Sequence, residues 1–166
     1  MCLNPPGVPY IEGYAPGEVI RRGQHVQLAC RSRGGNPPAQ LIWYKNGNQA
    51  RMAYRTTDRF SENIYVFVAE ASDNKARLRC EANNKMATKI LKAEVTLNVL
   101  LPPGPPIISG YTEGSIITVG TRQKIMCTSS GGNPLATLVW YKNDKKFFYS
   151  HSNYSYGNNQ SHTSQE

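Results

Sequence analysis

Three short stretches decide how this chain folds: Val26-Gln27-Leu28-Ala29-Cys30, Gln40-Leu41-Ile42-Trp43-Tyr44 and Arg77-Leu78-Arg79-Cys80-Glu81. Each tends to place apolar residues two apart, which is the period of a strand with one buried face. Val26, Leu28 and Cys30 then share one face, Leu41 and Trp43 one face of the next strand, and Leu78 and Cys80 one face of a third. Trp43 follows Cys30 by thirteen residues, and Cys80 follows Cys30 by fifty.

Cys, Trp and Cys in that order and at that spacing are the arrangement of an immunoglobulin-like antiparallel β-sandwich. Strands B and F supply a bridge between two sheets, and strand C supplies a tryptophan packed against it. The expected fold class is therefore all-β, with a disulfide between Cys30 and Cys80 and a core containing Trp43, Leu28, Leu41 and Leu78. Two inner faces about 10 Å apart can share that core.

A repeat extends the argument. Residues 5–46 and 102–143 align without a gap at an offset of 97, and 22 of the 42 positions are identical. Cys30 matches Cys127, Trp43 matches Trp140, and Gly34-Gly35-Asn36-Pro37 matches Gly131-Gly132-Asn133-Pro134. A period near 100 residues is one sandwich per repeat. The expected organisation is the end of a preceding domain and a linker at 1–6, a complete sandwich at 7–101, strands A to C of a truncated second one at 102–149, and a polar, disordered tail at 150–166. Pro5-Pro6-Gly7 and Leu101-Pro102-Pro103 read as stiff joints, because proline fixes φ. Gly34-Gly35-Asn36-Pro37 reads as the turn from strand B to strand C. No cysteine follows Cys127, so it is expected to be unpaired, as is Cys2.

Composition narrows the chemistry. Lys and Arg outnumber Asp and Glu by 19 to 11, a net charge of +8, but the basic residues are scattered. Scattered charge decorates solvent-facing positions; attraction to a heparin-like polyanion is the alternative, and no nucleic-acid-binding motif accompanies the charge. The cysteines and the three histidines lack metal-ligand spacing, so no metal and no cofactor is expected. Paired carboxylates and Ser/His/Asp arrangements do not stand out, and the chain is not read as an enzyme. No apolar run nears the ~18 residues of a membrane span, and Met1-Cys2-Leu3-Asn4 lacks the character of a secretory signal.

The run Gly-Gly-Asn-Pro-x-Ala-x-Leu-x-Trp-Tyr-Lys-Asn, present twice, resembles the nephrin and Sticks-and-stones/Hibris group of adhesion receptors. Cys80-Glu81-Ala82-Asn83-Asn84 and Val95-Thr96-Leu97-Asn98-Val99 fit the same group. The resemblance implies a multi-domain ectodomain on a single membrane helix, at the extracellular side of cell–cell junctions. It implies adhesion to immunoglobulin-superfamily proteins of the Neph/Kirre type, or homophilic adhesion, with membrane attachment through another part of a longer parent. A secreted structural or matrix array, or an immune-type one, is the alternative. Recognition would use an outer sheet face: alternation sends Gln40, Ile42, Tyr44, Arg77, Arg79 and Glu81 outward. Apolar Ile42 and Tyr44 among charges have the composition of an interface core with a polar rim, although both residue types are also good strand formers. Asn153-Tyr154-Ser155 and Asn159-Gln160-Ser161 are glycosylation sequons, making Asn153 and Asn159 candidate acceptors.

Overall fold

Alternation along the longest strand, β4 (His25–Asn36), becomes a buried face of Val26, Leu28, Cys30 and Ser32 against exposed His25 and Gln27. The computed structural model describes residues 3–146 in full, together with the backbone of 147 and of 160–165. Its helical content, among those residues, is one 3₁₀ turn at Ala71–Asp73. Two compact units divide the chain, Met1–Val99 and Leu100–Glu166.

In the first unit, β4 carries β1 (Asn4–Pro6) and β2 (Tyr10–Glu12) on one edge and β8 (Phe60–Val68) on the other, with β7 (Tyr54–Thr56) outside β8. β4 and β8 run antiparallel in register from His25 opposite Val68 to Arg33 opposite Phe60. The facing sheet has the order β10 (Leu91–Thr96), β9 (Arg77–Asn83), β5 (Gln40–Lys45), β6 (Asn48–Ala50). A short strand, β3 (Ile20–Arg21), precedes β4. Cys30 and Cys80 join the sheets through a disulfide with Cα atoms 6.3 Å apart. Trp43 stands directly across from Cys80 on the neighbouring strand. It is fully buried, as are Leu28, Leu41 and Leu78, and its ring centroid lies 5.7 Å from that of Tyr65. This is an immunoglobulin-like β-sandwich.

The proline segments are not free joints. Asn4 and Pro6 pair with Asn36 and Gly34, so residues 4–6 belong to the first sandwich rather than to a preceding domain. β11 (Val99–Pro103) repeats the pairing, with Leu101 and Pro103 opposite Asn133 and Gly131 of β13 (Ile125–Asn133). Proline lacks a donor, but the next residue restores the bond: Gly7 N–H to Arg33 O and Gly104 N–H to Ser130 O are both 2.8 Å. The glycine run is likewise strand rather than turn. Gly34 and Gly35, both at positive φ, kink β4 away from β8 and onto β1; the chain reverses only at Pro37 and Pro38.

The second unit contains β12 (Ile107–Ser109), β13, a hairpin of β14 (Trp140–Lys142) and β15 (Lys145–Phe147), and β16 (Gln160–Gln165). Within the tail expected to be disordered, residues 160–165 form a strand, β16. It pairs with β13 so that Cys127 faces Thr163, the register in which Cys30 faces Asn63. A polar segment thus occupies the strand E position, because backbone pairing to a free edge does not require an apolar sequence. Among the described residues β14 pairs with β15 alone, whereas β5 also pairs with β9. Leu138, Trp140 and Cys127 are accordingly half-exposed, and Trp140 Nε1 has no acceptor among those residues.

The repeat extends to atoms. Gly13 and Gly110 sit at φ +97° and +93°, where a Cβ would fall 2.3 Å from the carbonyl oxygens of Gln27 and Lys124. The following tyrosines donate to the carbonyls of Glu18 and Ser115, at 2.7 and 2.9 Å.

Candidate functional site

The outer surface of β5, β9 and β10 follows from the inward residues. Because Leu41, Trp43, Leu78 and Cys80 point to the core, Ile42 lies opposite Glu81 and Tyr44 opposite Arg79 on the outer side. Gln40 and Arg77 are exposed; Ile42, Tyr44, Arg79 and Glu81 are half-buried. All six residues expected on this face stand on two adjacent strands, with Gln40 across from Asn83.

The face continues onto a third strand. β10 puts Lys92 beside Glu81, Glu94 beside Arg79 and Thr96 beside Arg77, while Leu91, Ala93 and Val95 face inward. Those three inward residues were the sequence signal for the extension. The guanidinium carbon of Arg79 lies 4.7 Å from the centroid of the Tyr44 ring, and its Nε lies 3.0 Å from Glu81 Oε1 without the alignment of a hydrogen bond. At the end of β5, Asn46 and Gly47 reverse the chain at positive φ, and Asn46 Oδ1 accepts from the Arg77 amide at 2.9 Å. Asn84 anchors the opposite end, donating to Pro37 O at 2.7 Å and Asn4 O at 3.0 Å.

Two ion-pair groups brace the frame rather than the face. Buried Asp73, in the 3₁₀ turn, pairs with Lys45, and that hydrogen bond raises the lysine above its ordinary range. On the other sheet, Glu62 is only 2% exposed because Arg55 and Arg31 cover it. Its carboxyl is held below the usual range, first by Arg55 and then by Arg31. Arg31 also reaches Glu12 at 2.5 Å. A cleft of about 620 Å³ opens beside Gln40 and Asn83, walled by Pro37, Tyr54 and Thr56, with Lys85 as its one charged lining residue.

Cys127 is a free, half-buried thiol, pushed up by burial. Cys2, Asn153 and Asn159 lie outside the described residues. Among the described residues no three potential metal ligands converge, and no helix is long and apolar enough to cross a membrane.

Residues 11–89 match the family model of the CD80-like C2-set immunoglobulin domain. The chain belongs to the immunoglobulin superfamily. Within this superfamily it is similar to nephrin: it is 36% identical to human nephrin over 84% of its length and 33% identical to mouse nephrin over the same share. It spans 11% of either nephrin. Among solved structures, the mouse nectin-like molecule 4 ectodomain overlays 97% of this chain and 55% of its own length, with a TM-score of 0.62 at 18% identity. The complex of Dpr2 with DIP-Theta overlays 96% of this chain and 54% of the matched chain, with a TM-score of 0.60 at 18% identity. These immunoglobulin superfamily relatives include adhesion molecules, and an adhesion or recognition module is the functional class they support.

Proposed function

We propose that this chain is a cell–cell adhesion module of a nephrin-like receptor, acting on the extracellular side of the plasma membrane through the β5–β9–β10 face. Its partners on this reading are immunoglobulin-superfamily ectodomains, of the Neph/Kirre type or of its own kind. The observation that carries the reading is half-buried Ile42 and Tyr44 on β5, flanked along their strand by Gln40 and on the neighbouring β9 by Arg77, Arg79 and Glu81. An apolar centre with a polar rim is how protein interfaces are composed. Pairing of one immunoglobulin protein with another, as in the complex of Dpr2 with DIP-Theta, gives the partner class. The test is Ile42→Asp and Tyr44→Asp in a complete ectodomain, scored by aggregation of expressing cells. Loss of aggregation by a folded, surface-displayed receptor supports the face, and unchanged aggregation refutes it.

A further inference from the structure

Tyr54 and Thr56 belong to the inner side of their sheet and are exposed all the same. On β7 they stand across from Asn63 and Ser61, which point from β8 into the core and are buried. β7 is the outermost strand, however, and Tyr54 keeps 41% of its surface open. The space beside it is the cleft of about 620 Å³, enclosed further by Pro37, Pro38, Gln40, Asn83, Asn84 and Lys85. That volume falls within the ~300–1,000 Å³ of clefts that hold small ligands. The wall is tied in place by Asn84. Its Nδ2 donates to Pro37 O at 2.7 Å, and its Oδ1 accepts from the Met86 amide at 3.0 Å.

The lining selects the occupant. The exposed Tyr54 ring offers a flat apolar surface, suited to the C–H face of a sugar ring. Gln40 and Asn83, exposed and opposite each other in register, carry amides that both donate and accept. The Thr56 hydroxyl does the same, and so does every hydroxyl of a sugar. Behind the β7 residues, Asn63 Oδ1 and Ser61 Oγ are buried without a partner among the described residues, so unmet polar capacity lies next to the cleft wall. No acidic side chain lines the cleft, and among the described residues no carboxylate pairs with Lys85. A single uncompensated ammonium attracts a single negative charge. A sulfated polyanion calls instead for a row of cations.

We propose that this cleft binds a sugar ring carrying one carboxylate, with the ring on Tyr54, the carboxylate on Lys85 and the hydroxyls on Gln40 and Asn83. Such a ring ends a sialylated glycan and recurs along an unsulfated uronic acid chain. The site goes beyond the adhesion face and shares only Gln40 with it.

The test is titration of the full oxidised chain, followed by amide chemical shifts, with sialyllactose, a glucuronic acid disaccharide and lactose as probes. At least one carboxylated probe should bind, naming the source of the ring, and lactose should bind about tenfold or more weakly. Lys85→Ala should erase that preference, and Tyr54→Ala should weaken the carboxylated probe by about tenfold. Lys89→Ala, an exposed cation outside the cleft lining, should do neither. Both replaced lining side chains are exposed, so the unfolding midpoints of the variants should match that of the parent chain. Failure of both carboxylated probes to bind, equal affinity for lactose, or indifference to Lys85→Ala overturns the site. Tighter binding of a heparin fragment, or of a peptide ending in Asp, than of either carboxylated sugar overturns it too.

Discussion

The indole N–H of Trp43 donates to the backbone carbonyl of Asn63, 3.0 Å away on the opposite sheet. The same asparagine returns a bond, its Nδ2 donating to Leu41 O at 2.9 Å. The two sheets are thus joined by hydrogen bonds immediately beside the disulfide, in a part of the core where neither group reaches water.

Trp43→Phe removes that donor and part of the ring while keeping an aromatic beside Tyr65. The expected cost is about 2–3 kcal/mol, from the lost packing and a buried carbonyl deprived of a partner. A lowered urea midpoint with an unchanged slope is the reading that bears this out.

Removing the sulfur link in the double variant Cys30→Ala/Cys80→Ala frees a loop fifty residues long in the unfolded chain. Loop-closure entropy puts the loss at about 4 kcal/mol. Thermal unfolding of the first unit with and without reductant measures the same quantity, and only the parent chain should respond to reductant.

Glu62 makes stability depend on acid. Its folded pKa lies below the ordinary 4.5, because Arg55 and Arg31 bond the ionised form. Its contribution is therefore fully present above that ordinary value and is lost as pH falls through the folded pKa. Glu62→Gln should flatten the acid limb of a plot of unfolding midpoint against pH, taken from neutral down to about pH 2.

The backbone pairing of β16 with β13 protects the second unit's longest strand. Deleting residues 160–166 should speed hydrogen exchange at amides within Ile125–Ser130 and leave the β4 amides, which have their own partner in β8, unchanged. Equal exchange before and after deletion would rule the pairing out.

What could be read from the chain itself was whatever depends on local period and on chemistry that only one arrangement satisfies. Alternation put β5 at Gln40–Lys45 and turned Ile42 and Tyr44 outward, since successive side chains on a strand must take opposite faces. Cys30, Trp43 and Cys80 named the sandwich because a bridge and an indole at those intervals need two facing sheets. Which strand lies beside which is a different kind of fact. Prolines at 5, 6, 102 and 103 look like linker until a kinked strand offers them an edge, and a tail of Ser, His and Thr carries no apolar signal for the slot it fills next to β13. The alternation of Lys92 and Glu94 was visible, but their places beside Glu81 and Arg79 were not. Register between strands distant in sequence is settled by packing over the whole core, and only the folded chain carries it out.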